Sequence, residues 1–386
     1  MLTYSQLVAL ERSLRDERVL SVYLRGGAAD PATRRAWRTD LDRSLRDLRR
    51  WLAGSSHDER EAFDRCVAIL DELLAPYASG LSSPGWAAFI TDGTVQDAER
   101  LPVPMPTMAI WSTGICAAPY IRALKVARPV IVAVVDARLA RIYRFRAGEL
   151  SLLARIHAHA TIEPPAHMGD APRAGFHGGV RGETGHDAAR RARTAGVERM
   201  LREAELVVAR HASLDGGILL GGATRVATQF RKMLAASVSE RVLQLESLHA
   251  DATDADILAA AKAGASALRD ATDLRQIAEI ASADASHDAA ALGPAATGRA
   301  LERRTVRELY ITGRYLEDHM AEAEDAVRQA LDQGALIEQV SNKAAARLDE
   351  HGGIAARLRY RVGGELAGSD ALVRDAALEG DASATR

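Results

Sequence analysis

Read from the amino terminus, apolar residues recur first at helical spacing. Leu7, Leu10 and Leu14 fall on one face of a short helix. The run from Arg18 to Leu24 (RVLSVYL) is β-rich, and Gly26, Gly27, Asp30 and Pro31 after it open a turn or a helix N-terminus. Trp37, Leu41, Leu45, Leu48 and Leu52 then repeat every three or four positions, which predicts an amphipathic helix over 32–52. Phe63, Val67, Leu70 and Leu74 predict a second over 58–76. Trp86–Thr91 reads as a strand, and Pro102, Pro104 and Pro106 exclude helix from the stretch that follows.

At Pro129 the pattern changes. PVIVAVVD is an unbroken apolar run, the signature of a strand buried on both faces. Two further strands are predicted at 140–145 and 150–156, and a polar Gly- and His-rich stretch covers 158–187. Val197, Met200, Leu201 and Ala204 mark the inner face of a long helix. The run GGILLG at 216–221 is a buried strand, 224–234 a helix and 241–245 a last strand. From 253 the chain opens with Ala-rich helix. It continues with strands at 306–312, 336–340 and 353–360 and helices at 317–331 and 343–351.

Strands alternating with helices imply mainly parallel or mixed sheets covered on both faces. The expected fold is therefore mixed α/β, in three consecutive α/β domains. These are an N-terminal domain at 1–125, a middle domain at 128–250 and a C-terminal domain at 253–362. A small, polar, weakly charged tail over 363–386 is expected to be disordered.

Composition narrows the class. The 386 residues are 47% hydrophobic and 26% charged, enough apolar material for real cores. Aromatics make up only 4%, so Leu, Val, Ile and Ala must fill them. No run approaches the roughly 20 apolar residues that cross a bilayer, so no membrane partner is expected. The first 20 residues are charged throughout, without an apolar core segment, and are read as lacking a signal peptide. Cys66 and Cys116 alone make neither a disulfide framework nor a Cys-based metal site, and a reducing cytoplasm is the expected location. Gly216, Gly217, Gly221 and Gly222 flank a strand, but neither GxGxxG nor GxxxxGK[ST] occurs. No cofactor is expected.

Net charge is −2, so any contact with nucleic acid must use a local patch. Basic residues are almost all Arg throughout the chain, with Lys only at 125, 232, 262 and 343; the bias by itself points nowhere. One place stands out. Between Arg173 and Arg193 lie five arginines (173, 181, 190, 191, 193) against Glu183 and Asp187, a local net of +3. The preceding loop, 169–187, holds Gly169, Gly175, Gly178, Gly179, Gly182 and Gly185. A glycine-rich loop lets backbone approach a partner closely, and the Arg-bearing helix it feeds suits RNA phosphates. The plain structural reading is a solvated helix face with internal pairs such as Glu198–Arg202. For the arginines at 34–50 that plain reading is the better one, because Asp40, Asp42 and Asp47 offer pairs such as Asp42–Arg46 and Asp47–Arg50.

Three stretches resemble a known family. PVIVAVVDARLARIYRF at 129–145 is similar to the opening strand pair of the middle domain in release-factor and Pelota-type proteins. GFHGGVRGETGHDAARRARTAGVERMLREA at 175–204, followed by GGILLGG, is similar to that domain's loop and helix. ATGRALERRTVRELYIT at 296–312 with GGIAARLRY at 352–360 resembles the third domain, which has the fold of small RNA-binding ribosomal proteins. Their order and spacing identify the chain with the bacterial members of the archaeo-eukaryotic release factor family.

The resemblance implies a ribosome-binding protein. In true release factors a Gly-Gly-Gln loop enters the peptidyl-transferase centre, and its glutamine positions the hydrolytic water. Here the matching place reads His177, Gly178, Gly179, Val180. Valine neither donates nor accepts a hydrogen bond, so that reaction is not expected. The first 125 residues also lack the family's stop-codon-reading tetrapeptide. The resemblance therefore implies a non-enzymatic factor for the A site of idle or stalled ribosomes, in hibernation or rescue. Gly178, Gly179, Arg181, Arg190, Arg191 and Arg193 would touch ribosomal RNA, and no DNA partner is expected. One rival is an ester hydrolase using a histidine-held water, with His177 or His186 as base. Another is a stress protein with some other partner. His157, His159, His167, His177 and His186 show no spacing of a metal site, and no metal is expected.

Overall fold

A computed structural model describes residues 1–27, 34–159, 185–212, 216–286 and 288–360. The tail at 363–386 and most of the loop at 169–187 lie outside them. Among the described residues the chain is mixed α/β with three sheets. Contacts divide it into two compact units, Met1–Lys125 with the chain from Asp270 onward, and Val126–Arg269.

The first unit begins with α1 (Tyr4–Ser13), β1 (Arg18–Arg25), α2 (Ala36–Trp51), α3 (His57–Leu74), β2 (Gly85–Thr91), β3 (Thr94–Leu101), β4 (Met108–Thr113) and α4 (Tyr120–Val126). Thr3 and Gln6 form a reciprocal capping box at the start of α1. The sheet is antiparallel in the order β3-β2-β1-β4. Leu20, Val22 and Leu24 of β1 point to one face, where Trp37, Leu41 and Leu45 of α2 and Phe63, Val67 and Leu70 of α3 bury them. The inward periodicity of both helices is the one their spacing predicts. β3 carries no such apolar run, and pairing with β2 is what makes it a strand. α2 also shields the outer edge of β4: Ser44 Oγ donates to Ala109 O at 3.2 Å and accepts from Ala109 N at 3.0 Å.

The second unit holds β5 (Val130–Val135), β6 (Leu139–Arg146), β7 (Glu149–His157), α5 (Gly185–His211), β8 (Ile218–Gly222), α6 (Thr224–Met233), α7 (Ala236–Ser239), β9 (Val242–Gln244) and the first part of α8 (Asp254–Ala285). Its order is β7-β6-β5-β8-β9; β8 runs parallel to β5 and to β9, while β6 is antiparallel to β5 and to β7. β5 is central, which is why all six of its residues are buried. Ile131, Ala133 and Val135 meet Met200, Leu201 and Ala204 of α5 and Phe230 of α6. Val130, Val132 and Val134 meet Ile257, Ala261 and Ala265 of α8. The unit reaches Arg269 because a sheet apolar on both faces needs that second layer.

The rest of the first unit holds the end of α8, then β10 (Ala290–Leu292), α9 (Pro294–Glu302), β11 (Val306–Thr312), α10 (Gly313–Asp318), α11 (Met320–Asp332), β12 (Leu336–Val340), α12 (Asn342–Asp349) and β13 (Ile354–Leu358). The order is β10-β13-β11-β12, antiparallel except for β11 with β12. Within this unit the two sheet-bearing segments are tied by buried charge. Glu324 of α11 accepts hydrogen bonds from Ala117 N at 3.0 Å and Ala118 N at 2.9 Å, just before α4. At the other end of α4, Lys125 Nζ donates to Asp273 Oδ1 at 2.6 Å and Gln339 O at 2.9 Å, with Glu338 Oε2 at 3.4 Å.

Candidate nucleic-acid interface

Four chain segments meet at one edge of the five-stranded sheet. β5 ends there and β6 begins there; β7 ends there because it is antiparallel to β6. β8, parallel to β5, ends beside it, with Ala223 N donating to Val135 O at 2.9 Å. Ala158 N donates to Arg138 O at 2.8 Å, so the chain leaves β7 against the β5–β6 turn. Asp136 Oδ1 closes that turn by accepting from Arg138 N at 2.6 Å and Leu139 N at 2.7 Å. α5 must start at the same edge, since it returns the chain to the opposite edge before β8.

The length of α5 explains its first turns. From Ala189 onward, its buried residues begin at Gly196 and continue through Met200, Leu201, Ala204 and Val208. Some 16 Å of helix, at 1.5 Å per residue, precedes Gly196. Arg190, Arg191 and Arg193 all lie in this stretch and are exposed. At 100° per residue Arg190 and Arg193 point about 60° apart, while Arg191 lies about 100° from Arg190 and 160° from Arg193. The three guanidinium groups therefore spread around the helix and do not form one stripe. Farther along, Arg202 and Glu198 make the expected surface ion pair at 2.7 Å.

Of the other expected contacts, Gly178, Gly179 and Arg181 lie outside the described residues, as do Val180, His167 and His177, and nothing is described of the His186 side chain. His157 and His159 are exposed at the end of β7 and just after it. Among the described residues no group of three or more His, Cys, Asp or Glu side chains is arranged to hold a metal ion. Cys66 and Cys116 are free and buried. Burial pushes the Cys66 thiol up to about 12, and that of Cys116 well above its usual range, so neither is a ready nucleophile.

The arginines of α2 behave differently from those of α5. Arg38 pairs with Asp42 and Asp71, Arg43 with Asp40, Arg49 with Asp64 and Arg50 with Asp47. Arg46 does not pair with the Asp42 carboxylate as the spacing suggests; its Nε donates to Asp42 O at 3.1 Å, because Arg38 holds that carboxylate. α2 is a salt-bridged face.

Residues 117–266 match the model of bacterial archaeo-eukaryotic release factor family 10. Over those residues the chain is release-factor-like. It covers the release-factor-like unit almost from end to end, including α5 and the edge described above. No curated protein matches the chain. Among solved structures, Dom34 of S. cerevisiae, described as a translation termination-like factor, is 13% identical; the alignment covers 72% of this chain and 81% of that one, with a TM-score of 0.45. Pelota of Archaeoglobus fulgidus is 12% identical over 72% of this chain and 80% of its own, with a TM-score of 0.33. A model of ribosome-bound archaeal Pelota is 13% identical over 93% and 95%, with a TM-score of 0.41.

Proposed function

We propose that this protein is a cytoplasmic, ribosome-associated factor of the release-factor type. It occupies the A site of idle or stalled ribosomes, in hibernation or rescue, without stop-codon-dependent hydrolysis. The observation that carries this reading is the family match over 117–266, on a unit whose longest helix begins with three exposed arginines. Gly178, Gly179 and Arg181, with Arg190, Arg191 and Arg193, are assigned to ribosomal RNA. Their phosphate contacts position the factor and carry little sequence information. Val180 in place of the family's glutamine speaks against a held water at that point. We read the three sheets as three domains, 1–125, 128–250 and 253–362.

Co-sedimentation of the purified protein with 70S ribosomes, at low and at raised salt, tests this. Salt-sensitive binding that A-site tRNA competes away is the expected result. An Arg190→Ala, Arg191→Ala, Arg193→Ala variant that sediments as well as the parent would overturn the placement.

A further inference from the structure

The edge of the release-factor-like unit carries two more arginines that the family resemblance does not single out. Arg138 lies in the β5–β6 turn and Arg225 in the first turn of α6; both are exposed. The backbone fixes where they are. Arg225 follows Ala223, whose N–H donates to Val135 O, and Arg138 lies three residues beyond Val135. Arg138 O in turn accepts from Ala158 N, where the chain leaves β7 for the segment that ends at α5. The two arginines therefore share the sheet edge at which α5 presents Arg190 and Arg193.

Among the described residues Arg138, Arg190, Arg193 and Arg225 have no ion pair, whereas four arginines of α2 each hold a carboxylate. The one acid in the β5–β6 turn, Asp136, directs its Oδ1 to the backbone N–H groups of the turn itself. Guanidinium groups gathered on one edge and left without local acids repel one another, and a polyanion relieves that repulsion. Each group offers a planar fork of donors suited to phosphate oxygens.

We propose that Arg138 and Arg225 are RNA phosphate contacts. With Arg190 and Arg193 they form a basic rim along the edge of the sheet where β5, β7 and β8 end. The rim grips successive phosphates of one RNA backbone. This deepens the ribosome reading and rests on it for the identity of the RNA.

The test uses the full chain and its Arg138→Ala, Arg225→Ala double variant, with Arg231→Ala at the far end of α6 as control. Binding is measured against salt on two probes, 70S ribosomes and a mixed-sequence 16-base-pair RNA duplex. Loss of two phosphate contacts should lower the slope of log K against log salt by about two and leave the control unchanged. Ribosome binding with the parent's slope and affinity in the double variant would overturn the rim. If the parent ignores ribosomes yet binds the duplex in a way the double variant loses, the rim stands and the ribosome reading falls. Salt-dependent binding to neither probe overturns both.

Discussion

Glu324 accepts a hydrogen bond from the backbone N–H of Ala118 at 2.9 Å, across 206 residues of sequence. Its other oxygen takes the Ala117 N–H, and the Cys116 thiol donates to Oε2 at 3.3 Å. A carboxylate from α11 thus satisfies open donors ahead of α4, a helix whose own sequence supplies no side chain for them. Burial raises the Glu324 carboxyl above its ordinary range, and the hydrogen bonds to it work in the opposite direction. Glu324→Ala leaves buried donors unmatched and should cost about 2–4 kcal/mol in urea unfolding. Glu324→Gln, which keeps one acceptor, should fall between that variant and the parent.

Lys125 faces two buried carboxylates, Asp273 and Glu338. Its replacement by Met removes the buried cation that faces both and should destabilise the first unit by about 3–5 kcal/mol at neutral pH. Combining Lys125→Met with Asp273→Asn and Glu338→Gln should recover most of the loss. A triple variant no more stable than Lys125→Met would show that shape, and not charge, decides this site.

Acidification should stabilise the first unit over part of its range. Burial, then the neighbouring Glu99, raises Asp97 from 3.8 to about 6. A raised carboxyl contributes stability that is fully present below its unfolded value and is lost as pH rises through the folded one. The Asp97 contribution therefore grows as pH falls from 7 towards 4. Glu11, Glu324 and Asp273, also raised by burial, act in the same direction. The expected signature is a urea midpoint that climbs on acidification, with a smaller climb in Asp97→Asn.

Gly222 should not tolerate a side chain. It holds φ at +105°, and an added Cβ would lie 2.0 Å from Val135 O. Gly222→Ala is expected to cost more than about 1 kcal/mol and to loosen the β8–α6 junction that carries Arg225. Thermal unfolding with ribosome binding would check both effects.

Peptidyl-tRNA separates a binding factor from a hydrolase. With Val180 at the position of the family's glutamine, single-turnover hydrolysis should stay at background. A measurable rate abolished by His177→Ala would establish the esterase instead.

Much of the fold is legible in the sequence, and particular residues show why. The six residues of β5 read as a strand buried twice over because each is apolar, and the structure covers them with α5 and α6 on one face and α8 on the other. Trp37, Leu41 and Leu45, or Phe63, Val67 and Leu70, announce their helices by spacing alone. β3 escapes such reading, since TVQDAERL is an edge strand with little buried surface. So does α4, seven residues held at both ends by partners more than a hundred positions away.

The same division holds for the candidate interface. Local order along the chain determined the mixed α/β class, the release-factor likeness of the middle unit and the arginines that open α5, because periodicity and motif are properties of neighbours. Only the tertiary structure decided which arginines are neutralised and which share an edge. Arg49 finds its carboxylate on Asp64 of α3, 15 residues away in sequence, while the end of β5 is brought beside the start of α6 by strand pairing. The i,i+3 and i,i+4 pairs of α2 are readable in a local window, but pairs and edges made by strand pairing and burial between distant residues are not contained in any.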